Sequence, residues 1–214
     1  MKLRSLLVAA LALVASVAVA PAQSQTSQSN CTLAGCIQAY TQNGIQSFVR
    51  TFKASLSNQL PAAAATDFLT ITGSSTRTVR VTKIVVSGAA TSAGSILTAV
   101  IRRGAVDTTV GATLVAVASR DTQNGGNAAA LNVYTVNPTL GNTASAGAGT
   151  LDTCRLFLQT ATAGSPDVCA FTYGVNDDQL TVLRGTTDQL AVNLQGSTIP
   201  SGGTIDIDVE WTEE

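Results

Sequence analysis

Asp206, Asp208 and Glu210 stand at spacing two near the end of the chain. On a strand that spacing puts three carboxylates on one face. Such a row could supply part of the flexible oxygen shell that calcium prefers. No DxDxDG loop accompanies it and no second converging segment can be identified, so a solvated strand face that opposes edge-to-edge aggregation is the competing reading. Asn176-Asp177-Asp178 lies between two strand-like runs and reads as a turn first, a ligand second. With ten Asp and three Glu in the chain, a carboxylate pair for glycoside hydrolysis can always be nominated, but none sits in a recognisable catalytic context. Arg77, Arg80 and Lys83 on one run, with Arg102 and Arg103 on another, could together hold an anionic polymer. Arg80 falls on the polar side of its run, which favours a solvated face. Tyr134, Tyr173 and Trp211 are the aromatics to weigh as sugar platforms, and Trp211 is in phase with Ile205 and Ile207, as a core residue would be.

The chain of 214 residues contains no histidine. Ser-His-Asp and Cys-His nucleophile systems, HExxH zinc sites, two-His-one-carboxylate iron sites and histidine pH switches are therefore excluded. No GxSxG elbow, no SxxK dyad and no phosphate loop between a strand and a helix occurs; Ala144 to Gly149 (ASAGAG) reads as loop. Net charge is −1, which gives no electrostatic case for nucleic acid or an anionic membrane. Aromatic content of 4% argues against an extended stacking surface. No catalytic set, cofactor site or convincing metal site is expected.

Residues 1–22 carry Lys2 and Arg4, then an apolar run from Leu6 to Val19, then Ala20-Pro21-Ala22. This is the layout of a secretory signal peptide with cleavage before Gln23, Ala18-Val19-Ala20 being the alternative site. The run is shorter than the roughly 20 residues a bilayer core needs. The expected mature chain has 192 residues and a net charge of −3. An oxidising compartment makes disulfides the natural reading of the four cysteines and zinc a poor one, with neither a CxxC nor a histidine partner present. Three pairings are open. The local ones, Cys31–Cys36 and Cys154–Cys169, close short loops and are favoured over the long-range alternatives.

Residues 23–66 read as a polar tether and an extension holding the first two cysteines. Within it, Ile45, Val49, Phe52 and Leu56 suit a helix, whereas Phe48, Phe52 and Leu56 suit a strand near 47–56, which is the preferred reading. Pro61 and four alanines read as a linker to Asp67. From Asp67 onward, short aliphatic and β-branched runs recur roughly every 10–15 residues, separated by Gly, Asn, Asp, Ser or Pro. No long helical pattern intervenes. The expected fold is an all-β, antiparallel sandwich over 67–214, jelly-roll-like, with a disulfide-containing N-terminal extension. Its clearest strand is Ile205 to Thr212, where Ile205, Ile207, Val209 and Trp211 alternate with Asp206, Asp208, Glu210 and Thr212.

FLTITGSSTRTVRVTKIVVSG (68–88), the Asn137-Pro138 turn, LTVLRGTTDQLAVNLQG (180–196) and GGTIDIDVEWTEE (202–214) resemble a group of uncharacterised β-rich proteins from phage structural gene neighbourhoods and bacterial genomes. The resemblance implies a virion-surface or other extracellular structural domain, as a homo-oligomer such as a trimer, and carries over no active-site residue. The leader sets this chain apart from virion proteins assembled in the cytoplasm and points to an exported relative. The expected function is therefore a secreted, periplasmic or extracellular non-enzymatic β-sandwich that binds or assembles at a cell or particle surface, with a surface polymer or glycan as partner. A carbohydrate-binding module and a carboxylate-based glycan hydrolase are the rivals.

Overall fold

A computed structural model describes residues 38–40, 46–108, 111–121, 125–141, 147–160, 167–174 and 181–214. The leader 1–22, the tether, Cys31, Cys36 and Asn176 to Asp178 lie outside them. Among the described residues there are fourteen strands and no helix, so none that could cross a membrane. β1 (Gln38–Tyr40) and β2 (Gln46–Phe48) pair with each other. The remaining strands are β3 (Arg50–Gln59), β4 (Ala64–Thr72), β5 (Val79–Ala89), β6 (Gly94–Arg103), β7 (Ala112–Leu114), β8 (Ala118–Ser119), β9 (Ala130–Tyr134), β10 (Gly149–Leu158), β11 (Val168–Thr172), β12 (Thr181–Leu183), β13 (Gln189–Thr198) and β14 (Thr204–Glu213). They form two antiparallel sheets of six strands packed as a sandwich. One runs β10-β6-β13-β4-β9-β7; the other runs β11-β5-β14-β3-β8, with β12 also on β5.

The pairings nest. β3 lies against β14, β4 against β13, β5 against β11 and β12, and β6 against β10. Early strands thus find late ones, as in a long hairpin folded over on itself.

Side-chain alternation builds the layer between the sheets. On β14, Ile205, Ile207, Val209 and Trp211 are buried, matched by Val79, Val81, Ile84 and Val86 of β5 and by Phe52 and Ala54 of β3. The Phe52 and Trp211 rings stack with centroids 5.8 Å apart. Leu69 and Ile71, Ile96 and Val100, and Leu190, Val192 and Leu194 close the layer from the facing sheet. Residues 50–59 thus form a central sheet strand rather than part of an extension. The sandwich takes in 50–66, and the sequence boundary at Asp67 is placed too late. Pro61, Ala62 and Ala63 carry the chain between sheets, where small residues and a break in strand pairing are both needed, while Ala64 and Ala65 already belong to β4 and pair with β13.

The two sheets are joined covalently at one edge. Cys154 on β10 and Cys169 on β11 form a disulfide, Cα to Cα 5.9 Å, between the outermost strands of opposite sheets. At the other edge residues 115–117 cross from β7 to β8 with Val115 buried. Closing a loop of 15 residues is worth about 3 kcal/mol on chain-entropy grounds. Replacing both Cys154 and Cys169 by Ser should lower stability by about that amount, read from urea melts with and without reductant. Ile207→Asp buries an unpaired charge in the apolar layer between the sheets and should cost at least several kcal/mol. Asp208→Asn, on the opposite face, should move stability by less than about 0.5 kcal/mol; the reverse order in the same melts means the face assignment fails.

Candidate functional site

The acid row on β14 lies on the outer face of its sheet, and each acid has its own neighbour. Asp206 Oδ1 accepts from the Asn58 N–H at 2.6 Å, where Asn58 takes a left-handed φ of 54° and the β3–β14 register slips. Asp208 meets Lys53 Nζ at 3.3 Å, and Glu210 meets Arg120 at 2.6 Å. Among the described residues no group of three or more Cys, Asp and Glu is gathered as a metal site. Two acids of the row are ion-paired and the third is held by a backbone N–H.

The five basic residues do not gather either. Arg77 pairs with Glu213 at 2.9 Å and Arg80 with Glu214 at 3.2 Å. Arg102 donates to the Val182 carbonyl and meets Asp188, bridging the mouth between the sheets. Arg103 points the other way, because adjacent strand residues face opposite sides. Trp211 is fully buried in the core, and Tyr173 is buried as well.

Arg103 leads to a polar cluster that the spacing of residues does not reveal. The β4–β13 pairing slips at Phe68, which enters the hydrophobic core, and Asp67 comes to lie opposite Asn193. Arg103 then grips Asp67 with two bonds, Nε to Oδ2 at 2.7 Å and a terminal nitrogen to Oδ1 at 2.6 Å, while Asn193 Nδ2 donates to the same Oδ1. Asp67 is 1% exposed and Arg103 4%. Asn193 Oδ1 in turn accepts from the Gln195 N–H at 2.6 Å, tying the ion pair to a bulge where Gln195 has φ 57°. Thr70, Tyr134, Thr72 and Gln189 continue this buried face, linked by Thr70 to Tyr134 at 3.5 Å and Gln189 to Thr72 at 3.3 Å.

Loops 104–108 and 135–141 cover it. Asp107, 2% exposed, donates its N–H to Gln189 Oε1 at 3.1 Å and accepts the Gly141 N–H on Oδ1 at 2.6 Å. Thr108 and Thr139 join the loops twice more, and Asn137 binds both Thr66 N–H and the Ala64 carbonyl on β4. Burial pushes the Asp107 carboxyl up to about 7; the Asp67 carboxylate adds to this, and the Gly141 N–H and Arg103 oppose it. A carboxyl near 7 beside a second carboxylate is what general acid chemistry uses. Here both groups lie behind the loops, closed off from solvent.

A second buried carboxylate has the opposite balance. Burial alone would raise Glu213, but the Ala129 N–H, the Trp211 indole, the Arg77 guanidinium and the Ala128 N–H hold it below the usual range. It pins residues 128–129 to the end of β14.

Two open surface features stand out among the described residues. A groove of about 470 Å³ runs beside β10, lined by Gly94, Ser95, Phe157 and Gln159, with Phe157 51% exposed. Phe157 escapes a reading that considers only Tyr and Trp as platforms; its out-of-phase position between buried Leu156 and Leu158 was the available signal. A polar cleft of about 290 Å³ at one end is lined by Ser74, Thr76, Arg77, Arg184 and Glu214.

Fold and site together define a disulfide-bridged antiparallel β-sandwich with an ion-paired outer surface. No known protein family matches the chain, and no curated protein or solved structure matches it.

Arg103→Met leaves the Asp67 charge buried without its partner and should cost about 3–5 kcal/mol in a urea melt at pH 7. Glu213 contributes stability that is present above the ordinary carboxylate range and lost as pH falls through its lowered value. Glu213→Gln should therefore cost about 2–4 kcal/mol at pH 7, and the loss should shrink as pH falls through the lowered value of the carboxyl; a loss that does not change with pH would mean the charge is not what matters.

Proposed function

We propose that this chain is an exported, non-enzymatic β-sandwich of jelly-roll type that binds or assembles at a cell or particle surface. The disulfide between opposite sheets carries the export part of this reading, because such bonds persist in oxidising compartments. The signal-peptide pattern of residues 1–22 supports it independently. The jelly-roll assignment is supported by the nested order: β3-β14-β5-β11 in one sheet and β4-β13-β6-β10 in the other are what a doubly folded hairpin produces. A structural or binding role is supported by the engagement of Asp208, Glu210 and four of the five basic residues in separate ion pairs, with Asp206 held by the Asn58 N–H. The resemblance to phage-neighbourhood β-rich proteins suggests assembly as a homo-oligomer, with a trimer the form to test for first.

The exposed Phe157 in its open groove favours one second reading, a carbohydrate-binding module, since a ring face flanked by Ser95 and Gln159 can stack on a sugar and hydrogen-bond its hydroxyls. Expression of the full chain with fractionation should place it outside the cytoplasm, beginning near Gln23 by intact mass, with Cys154 and Cys169 in one non-reduced peptide. Cytoplasmic retention with Met1 intact and free thiols would overturn the export reading. Light scattering of the mature protein reads the subunit number. Binding on a glycan array that disappears in Phe157→Ala would move the function to the second reading.

A further inference from the structure

The two loops over the six-stranded sheet are held together by few bonds: the Thr108–Thr139 pair, and the one ionisable side chain that joins them, Asp107. Asp107 ties loop 104–108 to Gly141 of the other loop and to Gln189 of β13 beneath. Its Oδ2 is buried and receives no donor, and the carboxyl it faces, that of Asp67, can accept from it only while Asp107 is protonated. The groups facing it are Asp67 from β4, Arg103 from β6, Tyr134 from β9 and the neutral Gln189 from β13. Arg103 is the one cation among them, and both of its bonds go to Asp67. The flanking segments 109–110 and 142–146 contain no ionisable residue. An ionised Asp107 would therefore place a second negative charge in a layer whose single positive charge is already engaged.

We propose that loops 104–108 and 135–141 form a pH-sensitive clasp, closed while Asp107 is protonated and loosened when Asp107 ionises beside Asp67. The proton removes the uncompensated charge and leaves Oδ1 accepting from Gly141. Its loss turns Oδ2 into a buried anion with no donor, and opening the loops to water is the available relief. The clasp closes tightly because residue 141 is glycine: a Cβ there would collide with the Ala105 carbonyl. The loop tips carry Val106, Val136 and Leu140, all exposed, so loosening changes the presentation of an apolar surface as well as the cover over Tyr134. The sign follows from linkage. A carboxyl raised to about 7 stabilises the closed form fully below the ordinary carboxylate range and loses that contribution as pH rises through 7.

Amide hydrogen exchange by mass spectrometry, expressed as protection factors so that the intrinsic pH dependence cancels, tests this on the mature protein. Peptides covering 104–108 and 135–141 should lose at least tenfold protection between pH 5.5 and pH 8.5, while β14 peptides stay unchanged. Asp107→Asn keeps an acceptor for Gly141 and carries no charge, so its clasp should remain protected at both pH values. Gly141→Ala should be poorly protected at both, because the collision does not depend on charge. Unchanged protection in the parent overturns the proposal, as does an Asp107→Asn protein that retains the parent's pH dependence. If Asp107→Asn does not fold, the parent's own profile decides.

Discussion

The structure depends on one strand finding two distant neighbours. β14 lies between β3 and β5, pairing with β5 over ten residues and with β3 over eight. Its apolar face carries Trp211, whose ring stacks on Phe52, and its last residues carry Glu213, which pins the Ala128–Ala129 backbone. Both sheets use this logic: β13 is to β4 and β6 what β14 is to β3 and β5. Without the two late central strands neither sheet is continuous.

Buried charge is handled differently at three places. Asp67 is surrounded by donors from Arg103 and Asn193, and Glu213 by two backbone N–H groups, an indole and a guanidinium. In both, enough hydrogen bonds replace water for the anion to persist in a low dielectric. Asp107 receives one donor on one oxygen. The contrast arises from backbone placement. Asp67 and Glu213 sit where strand register aims several donors at one point, and Asp107 sits in a loop where the Gly141 N–H is the donor that reaches its carboxyl.

Much of the architecture was legible because strand periodicity is a local property. Ile205 to Trp211 declared its faces, Thr78 to Val86 anticipated β5, and Leu151 to Leu158 anticipated β10. The Cys154–Cys169 pairing was legible from spacing, though its role as a staple between sheets was not, since spacing says nothing about which sheet each strand joins. The boundary at Asp67 failed because residues 50–59 owe their place to a partner about 150 positions away. The polar cluster was illegible for a related reason. Asp67, Asn193 and the Arg103–Asp107 stretch come from three distant parts of the chain, and a one-residue slip at Phe68 decides which face Asp67 takes. Arg103 read as half of an exposed Arg-Arg pair, when alternation sends its side chain away from that of Arg102 and under the loops.

The nested order of pairings also bears on when the chain can fold. As it emerges N-terminus first from the ribosome, β3, β4, β5 and β6 are synthesised in turn, and none of them has its central neighbour until β13 and β14 follow. The long loops between them must close before those contacts reward closure, so this topology folds late and slowly. Throughout most of its synthesis the polypeptide lacks the two strands that make its sheets continuous. The strand order that gives the finished domain its continuity is the same order that keeps the nascent one from closing early.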